Sequence, residues 1–234
     1  STLTVDKAEQ KILKDFRERK VAFQEDGATI YETTLGNLGY DLNEAALKTQ
    51  LTELQKTREA NRKLFTTQVD QKIPYEIQKN EEQEKTALQE SNFGDKERTA
   101  SVDAAIQYNE NQKQFTLISD VQGNQIDESR LLAYVDQSLE SLFPSQLLGG
   151  EIKLVMGTDV YQQPSVTVSD DMQNKLSGLN EKLNKYRSST VTYTLGNETQ
   201  VVDASTIESW LQISSDSISV DQDAVKTYVQ DLAT

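Results

Sequence analysis

A twelve-residue segment occurs three times in this chain, and this repetition constrains the possible fold more than any other feature of the sequence. The copies are residues 40–51, 124–135 and 218–229. In each copy an aliphatic residue precedes a short polar residue of the type that caps a helix, and apolar residues then recur at helical spacing. These pairs are Leu42 and Asn43, Ile126 and Asp127, and Val220 and Asp221. Three similar helices are therefore predicted.

Each copy follows signals for a β-hairpin and, before the hairpin, for another helix. Alternating β-branched and aromatic residues flank Asp26-Gly27, residues 109–111 and Gly196-Asn197, which predicts three hairpins. Amphipathic helices are predicted over residues 5–16, 81–90 and 169–183. Strands returning to the sheet are predicted at 73–77 and 152–156, and a loop or linker at 90–101.

The order of these elements predicts an α+β fold. Tandem repeats of helix, hairpin, helix and strand would build small, mostly antiparallel sheets that pack against helices. The first repeat is expected to span residues 1–79, the second 80–165 and the third 166–234. Because the third repeat stops before its last strand, we expect the natural protein to continue past Thr234.

The composition disfavours several classes of function. The chain has no Cys and no His, so it offers no thiolate nucleophile, imidazole base or Cys/His zinc site. With 24 Lys and Arg against 38 Asp and Glu, its net charge of −14 disfavours binding to nucleic acid. No apolar stretch approaches the ~20 residues that span a bilayer, so no insertion of this segment into a membrane is expected. We expect a non-catalytic chain without a cofactor.

Aromatic residues are the candidate ligand-binding residues. Trp210 is the single Trp and could stack on a sugar ring, although Ile207 and Leu211 beside it also fit a core anchor. Tyr193 and Tyr108 lie in predicted hairpin strands, where they could face a glycan. Packing across the strands is the simpler interpretation of both tyrosines.

Acidic residues are the remaining candidates for metal ligands and for catalytic pairs. Asp216, Asp221 and Asp223 lack the Gly and the terminal Glu of a calcium-binding loop, so no metal is expected there. Close carboxylate pairs are expected by chance among 38 acidic residues, and nothing in the sequence selects one for glycoside hydrolysis. An enzymatic interpretation would require a carboxylate pair in a deep cleft with perturbed pKa values.

Three stretches, residues 3–8 (LTVDKA), 38–40 (LGY) and 121–127 (VQGNQID), resemble a known extracellular module in their order and spacing. This is the peptidoglycan-binding domain found in vancomycin-resistance W-type proteins and before the catalytic domain of Gram-positive L,D-transpeptidases. Residues 206–211, followed by Val220-Asp221 and Tyr228-Val229, are similar to the segment just before that catalytic domain.

The resemblance implies a function for the chain. It would be the N-terminal region of a membrane-anchored L,D-transpeptidase, on the cell-wall side of the membrane, with its anchor outside this chain. Its partners would be peptidoglycan, through glycan strands or stem peptides, and the C-terminal catalytic domain of the same protein. The family's catalytic Ser-His-Gly-Cys signature has no counterpart here, so only an accessory binding or spacer role is implied. The alternative is a purely structural or protein-interaction pedestal that regulates an attached catalytic domain.

Overall fold

The structure of the protein, a computed structural model, describes residues 4–63 and 75–233. Within these ranges the chain forms seven α-helices and eleven β-strands. The helices are α1 (Val5–Arg17), α2 (Glu44–Lys63), α3 (Glu81–Glu90), α4 (Glu128–Gln146), α5 (Asp170–Ser188), α6 (Ala204–Ser209) and α7 (Gln222–Leu232). The strands are β1 (Lys20–Glu25), β2 (Ala28–Thr34), β3 (Tyr40–Leu42), β4 (Ile77–Lys79), β5 (Ala105–Asn109), β6 (Gln114–Ile118), β7 (Ile152–Val155), β8 (Val191–Leu195), β9 (Glu198–Val202), β10 (Leu211–Ile213) and β11 (Ile218–Val220). The predicted α+β class, with small antiparallel sheets packed against helices, is confirmed.

The predicted helix starts are present at the expected residues. The side chain of Asn43 accepts a hydrogen bond from the backbone N–H of Ala46 at the start of α2, at 3.0 Å. Asp127 caps α4 and Asp221 caps α7 in the same way. These bonds satisfy N–H groups that have no partner within the helix, which is why each helix begins where it does.

The three predicted hairpins are β1–β2, β5–β6 and β8–β9, all antiparallel. The first turns at Asp26 and Gly27, which both adopt positive φ angles. Gly39, in the turn before β3, also has a positive φ of 85°, and a Cβ there would lie 2.6 Å from the carbonyl oxygen of Asn80. Only glycine fits this position without strain.

The chain divides into two compact units, which do not follow the boundaries of the predicted repeats. Unit 1 comprises residues 1–100 and 124–162, and unit 2 comprises 101–123 and 163–234. The three repeats therefore stay a prediction about the sequence. Some predicted segments fall on residues 1–3, 64–74 and 234, which lie outside the described residues; Ile73 and Pro74 of the predicted strand 73–77 are among them.

Unit 1 is built on a three-stranded sheet in the order β2-β1-β7. Strand β7 matches the strand predicted at 152–156, and it pairs with β1 in parallel. Helices α1 and α4 contribute buried residues to the core below this sheet, and β3 pairs with β4 beside them. Fully buried side chains at the centre of this core include those of Phe16, Val21, Phe23, Leu38 and Leu139.

Unit 2 combines three strand pairs with α5, α6 and α7. Its core contains Ile106, Phe115, Leu183 and Ile218. Asn180 on α5 bonds both backbone groups of Phe115 on β6: its amide donates to the carbonyl at 2.9 Å, and its oxygen accepts from the N–H at 2.9 Å. This bond pair fixes α5 on the β5–β6 hairpin. None of the helices within 4–63 and 75–233 is long and apolar enough to cross a membrane.

Candidate functional site

A groove of about 700 Å³ opens on the surface of unit 1. Helix α3, the segment 91–98 that follows it, and residues 125–132 at the start of α4 form its walls. The sequence predicted 90–101 to be a loop or linker. The structure instead holds part of it as a short 3₁₀ helix, Asn92–Asp95.

The floor of the groove is apolar. Leu88, Phe93 and Leu131 line it and are buried, while Ile126 and Leu132 are half-buried. The ring of Phe93 is only 5% exposed and packs edge-on against two other rings, with centroid distances of 5.2 and 5.3 Å. The floor can therefore exclude water from a bound chain, but it offers no open aromatic face.

One wall is held by a buried ion pair. Arg98 donates to both carboxylate oxygens of Glu25, at 3.1 and 2.8 Å, and to the backbone carbonyls of Phe93 and Asn124. Tyr161 donates to the same carboxylate at 2.5 Å. Burial alone would raise the pKa of Glu25, but the hydrogen bonds from Arg98 and Tyr161 outweigh it, so the pKa is lowered. These contacts fix the segment 91–98 before any ligand arrives.

Several polar side chains of the groove make no hydrogen bond or ion pair with any described residue. Lys96 and Arg98 are neutralised by Glu25 and, for Lys96, also by Asp26. Among the described residues the side chain of Lys85 has no such partner. The other groove residues without one are Gln89, Glu97, Gln125, Glu128 and Ser129. The groove thus presents free donors and acceptors above an apolar floor.

A second polar cluster lies inside unit 1, where α3 meets α4. Glu84 is fully buried, and neither of its carboxyl oxygens accepts a hydrogen bond from a described residue. Burial, and then the neighbouring Asp136, raise the pKa of Glu84 to about 8. Burial opposes ionisation of Asp136 as well, but its 2.8 Å bond with Lys79 and its 2.7 Å bond with the Tyr40 hydroxyl lower its pKa. Near neutral pH, Glu84 is therefore protonated beside an ionised Asp136.

This carboxyl pair meets part of the requirement for the enzymatic alternative. The pKa of Glu84 is perturbed, but Glu84 is 0% exposed. A groove of about 520 Å³ that reaches Tyr40 and Lys79 is lined by neither carboxyl. Glu84 on α3 and Asp136 on α4 thus line neither of the two grooves described for unit 1. Over residues 4–63 and 75–233, no three acidic side chains converge as a metal site would require.

The three aromatic candidates belong to unit 2, and none of them lines the groove of unit 1. Tyr108 is half-buried, accepts a hydrogen bond from Arg187 at 3.0 Å and packs edge-on against Phe115 at 5.2 Å. Trp210 is half-buried and packs edge-on against Tyr228 at 5.2 Å. Tyr193 is also half-buried, and its hydroxyl has no hydrogen-bond partner within the described residues. Their role as ligand-binding residues stays a prediction.

Sequence reasoning missed the residues that line the groove. Lys85 and Gln89 belong to a short helix whose pattern is almost wholly polar, and the sequence of residues 91–98 predicts a loop. Gln125 falls within the stretch 121–127, on which the family resemblance depends. That resemblance is the one sequence signal that points to a residue of the groove.

Comparisons of the chain with models of protein families, with curated proteins and with solved structures found no match. The functional assignment therefore depends on the geometry of the molecule and on the residue patterns of its sequence.

Proposed function

We propose that this chain is the non-catalytic peptidoglycan-binding and spacer region of an extracellular L,D-transpeptidase, and that the groove of unit 1 holds the cell-wall polymer. The observation that carries the proposal is the set of unpaired polar side chains above the apolar floor. Peptidoglycan consists of N-acetylated sugars and short peptides, so it presents many amides together with carboxylates and amines. Side chains such as Gln89 and Gln125 can donate to and accept from such amides.

The rigidity of the groove supports the same proposal. The segment 91–98 is fixed by the buried pair of Arg98 and Glu25, and the floor belongs to the core of unit 1. A site that is already ordered loses little conformational entropy when it binds a flexible polymer. Many equivalent sites along the polymer also raise the concentration of ligand around a groove that binds each site weakly.

The direct test is retention of the purified chain on peptidoglycan sacculi. The variant Lys85→Ala/Gln89→Ala/Gln125→Ala removes three free polar side chains from the groove. A matched control, Lys153→Ala/Gln55→Ala/Gln137→Ala, removes the same residue types from exposed positions outside the groove of unit 1. We expect the wild type and the control to be retained equally and the groove variant to be lost to the supernatant. Equal retention of all three, or of none, contradicts the proposal.

A second function, a pedestal that contacts an attached catalytic domain, would use exposed apolar side chains of unit 2. Val191, Val201 and Val229 are each more than half exposed, at 51%, 57% and 56%. Activity of the catalytic domain with and without this region separates the two functions. A loss on polymeric substrate alone indicates binding, whereas a loss on soluble and polymeric substrates indicates regulation.

A further inference from the structure

The unpaired charges in the groove of unit 1 are of both signs. Lys85 lies on α3, Glu97 on the segment 91–98, and Glu128 on the first turn of α4. None of the three forms an ion pair or hydrogen bond with a described residue. A ligand that pairs with all of them must carry both an anionic and a cationic group, such as a carboxylate and an ammonium group.

The position of Lys85 is informative because a nearer partner is available. Glu81 lies four residues before it on the same helix, which is the spacing and order that favours a Glu–Lys ion pair. No such pair forms within the described residues, and Lys85 lines the groove instead. Lys85 is exposed at the edge of the groove, where its unpaired ammonium can attract an anionic group of a ligand.

The groove is poorly suited to a sugar ring. Uncharged sugars are held by stacking on exposed aromatic faces, and Phe93, the one aromatic residue that lines the groove within the described part of the chain, is buried against other rings. A peptide needs no aromatic face. Its backbone amides can bond to Gln89 and Gln125, and its apolar side chains can cover the floor.

We infer that the groove binds the stem peptide of peptidoglycan and not its glycan strand, with Lys85 holding a carboxylate and Glu97 and Glu128 holding a side-chain ammonium. This inference rests on the proposed function and narrows it to one part of the polymer. It assigns α3 to the carboxylate of the ligand, and the segment 91–98 and the start of α4 to its ammonium group.

The test is calorimetric or NMR titration of the whole chain with three probes. The first is the N-acetylated peptide L-Ala-γ-D-Glu-L-Lys-D-Ala. The second is the same peptide acetylated also on its lysine side chain, which removes the ammonium, and the third is chitotetraose. We expect the first probe to bind about threefold to tenfold more tightly than the second, as a partly exposed ion pair allows. Chitotetraose should not bind in the groove.

Three variants assign the charges. Lys85→Gln should weaken both peptides by about the same threefold to tenfold factor. Glu97→Gln/Glu128→Gln should abolish the difference between the two peptides, because nothing is left to recognise the ammonium. Lys153→Gln, which changes an exposed lysine outside the groove, should leave every affinity unchanged.

The outcomes separate this inference from the proposed function. Binding of chitotetraose in the groove without binding of the peptides overturns the inference, as does peptide affinity that is insensitive to Lys85→Gln. If sacculi still retain the wild type and release the groove variant, the proposed function survives that result. If sacculi retain neither protein, the proposed function itself fails.

Discussion

Replacing Glu84 with glutamine should remove the pH dependence that the titration of Glu84 gives to the stability of unit 1. Glu84 is buried on α3, facing Asp136 of α4, Lys79 of β4 and Tyr40 of β3. Its protonated carboxyl is the favoured form in the folded protein, and the amide of glutamine has the same shape without an ionisable proton. The amide is also a donor, so it can bond to the neighbouring carboxylate of Asp136.

The size of the effect follows from the raised pKa of Glu84. Its ordinary pKa of 4.5 applies to the unfolded chain, and its pKa in the folded protein is about 8. Between these values the folded state binds one more proton than the unfolded state, so stability falls as pH rises. At 1.36 kcal/mol for each pKa unit, the wild type loses roughly 3–4 kcal/mol between pH 5 and pH 8 through this one group. Glu84→Gln avoids that loss.

Amide hydrogen exchange of peptides from α3 and α4 is the suitable assay, because the single Trp, Trp210, lies in unit 2. At pH 5 the variant and the wild type should exchange within about threefold of each other. At pH 8 the variant should be protected about a hundredfold or more better, the equivalent of roughly 3 kcal/mol. The exposed neighbour Glu82, changed to Gln, is the control and should have little effect. A variant that is equally destabilised at both pH values refutes the reasoning.

Three further predictions concern stability. Glu25→Gln leaves a buried guanidinium without its charge partner and should cost about 3–5 kcal/mol at pH 7 in urea unfolding. Because the pKa of Glu25 is lowered, the stability that its ionised form contributes to the wild type should begin to fall below its ordinary pKa of 4.5 and should be lost once the pH drops below its lowered pKa. Gly39→Ala should cost about 2 kcal/mol more than Gly27→Ala in urea unfolding, since both positions have positive φ but only Gly39 lacks room for a Cβ. Asn180→Ala should lower the free energy of unfolding of unit 2 by about 1–3 kcal/mol, as followed by Trp fluorescence, whereas the exposed Asn184→Ala should change it little.

Local signals made much of the secondary structure predictable. The capping side chains of Asn43, Asp127 and Asp221 act within three residues of their partners, so a short window contains the whole interaction. The hairpins were equally predictable from the sequence, because turn residues such as Asp26-Gly27 adopt positive φ angles that few other residues tolerate.

Long-range pairing could not be predicted from these signals. Strand β7 was expected to rejoin a sheet, but its parallel pairing with β1 joins residues such as Val21 and Ile152, which are far apart in the sequence. The division into two units, with residues 101–123 packed beside 163–234, has no local marker. Such arrangements depend on which apolar faces bury each other in the folded chain.

The candidate site was hidden for the same reason. Arg98 and Glu25 lie 73 residues apart, and nothing in a chain with 38 acidic residues marks that pair beforehand. Glu84 violates the usual pattern, because a charged residue occupies a buried position of a polar helix. The pairing of Arg98 with Glu25 and the burial of Glu84 become visible only in the folded structure.

The measurement that tests the central claim most directly is residue-resolved NMR mapping of the whole chain titrated with soluble fragments of digested peptidoglycan. Binding in the groove predicts chemical-shift changes concentrated in residues 85–98 and 125–132. Changes centred on Trp210, Tyr193 and Tyr108 of unit 2, or no changes at all, would contradict it.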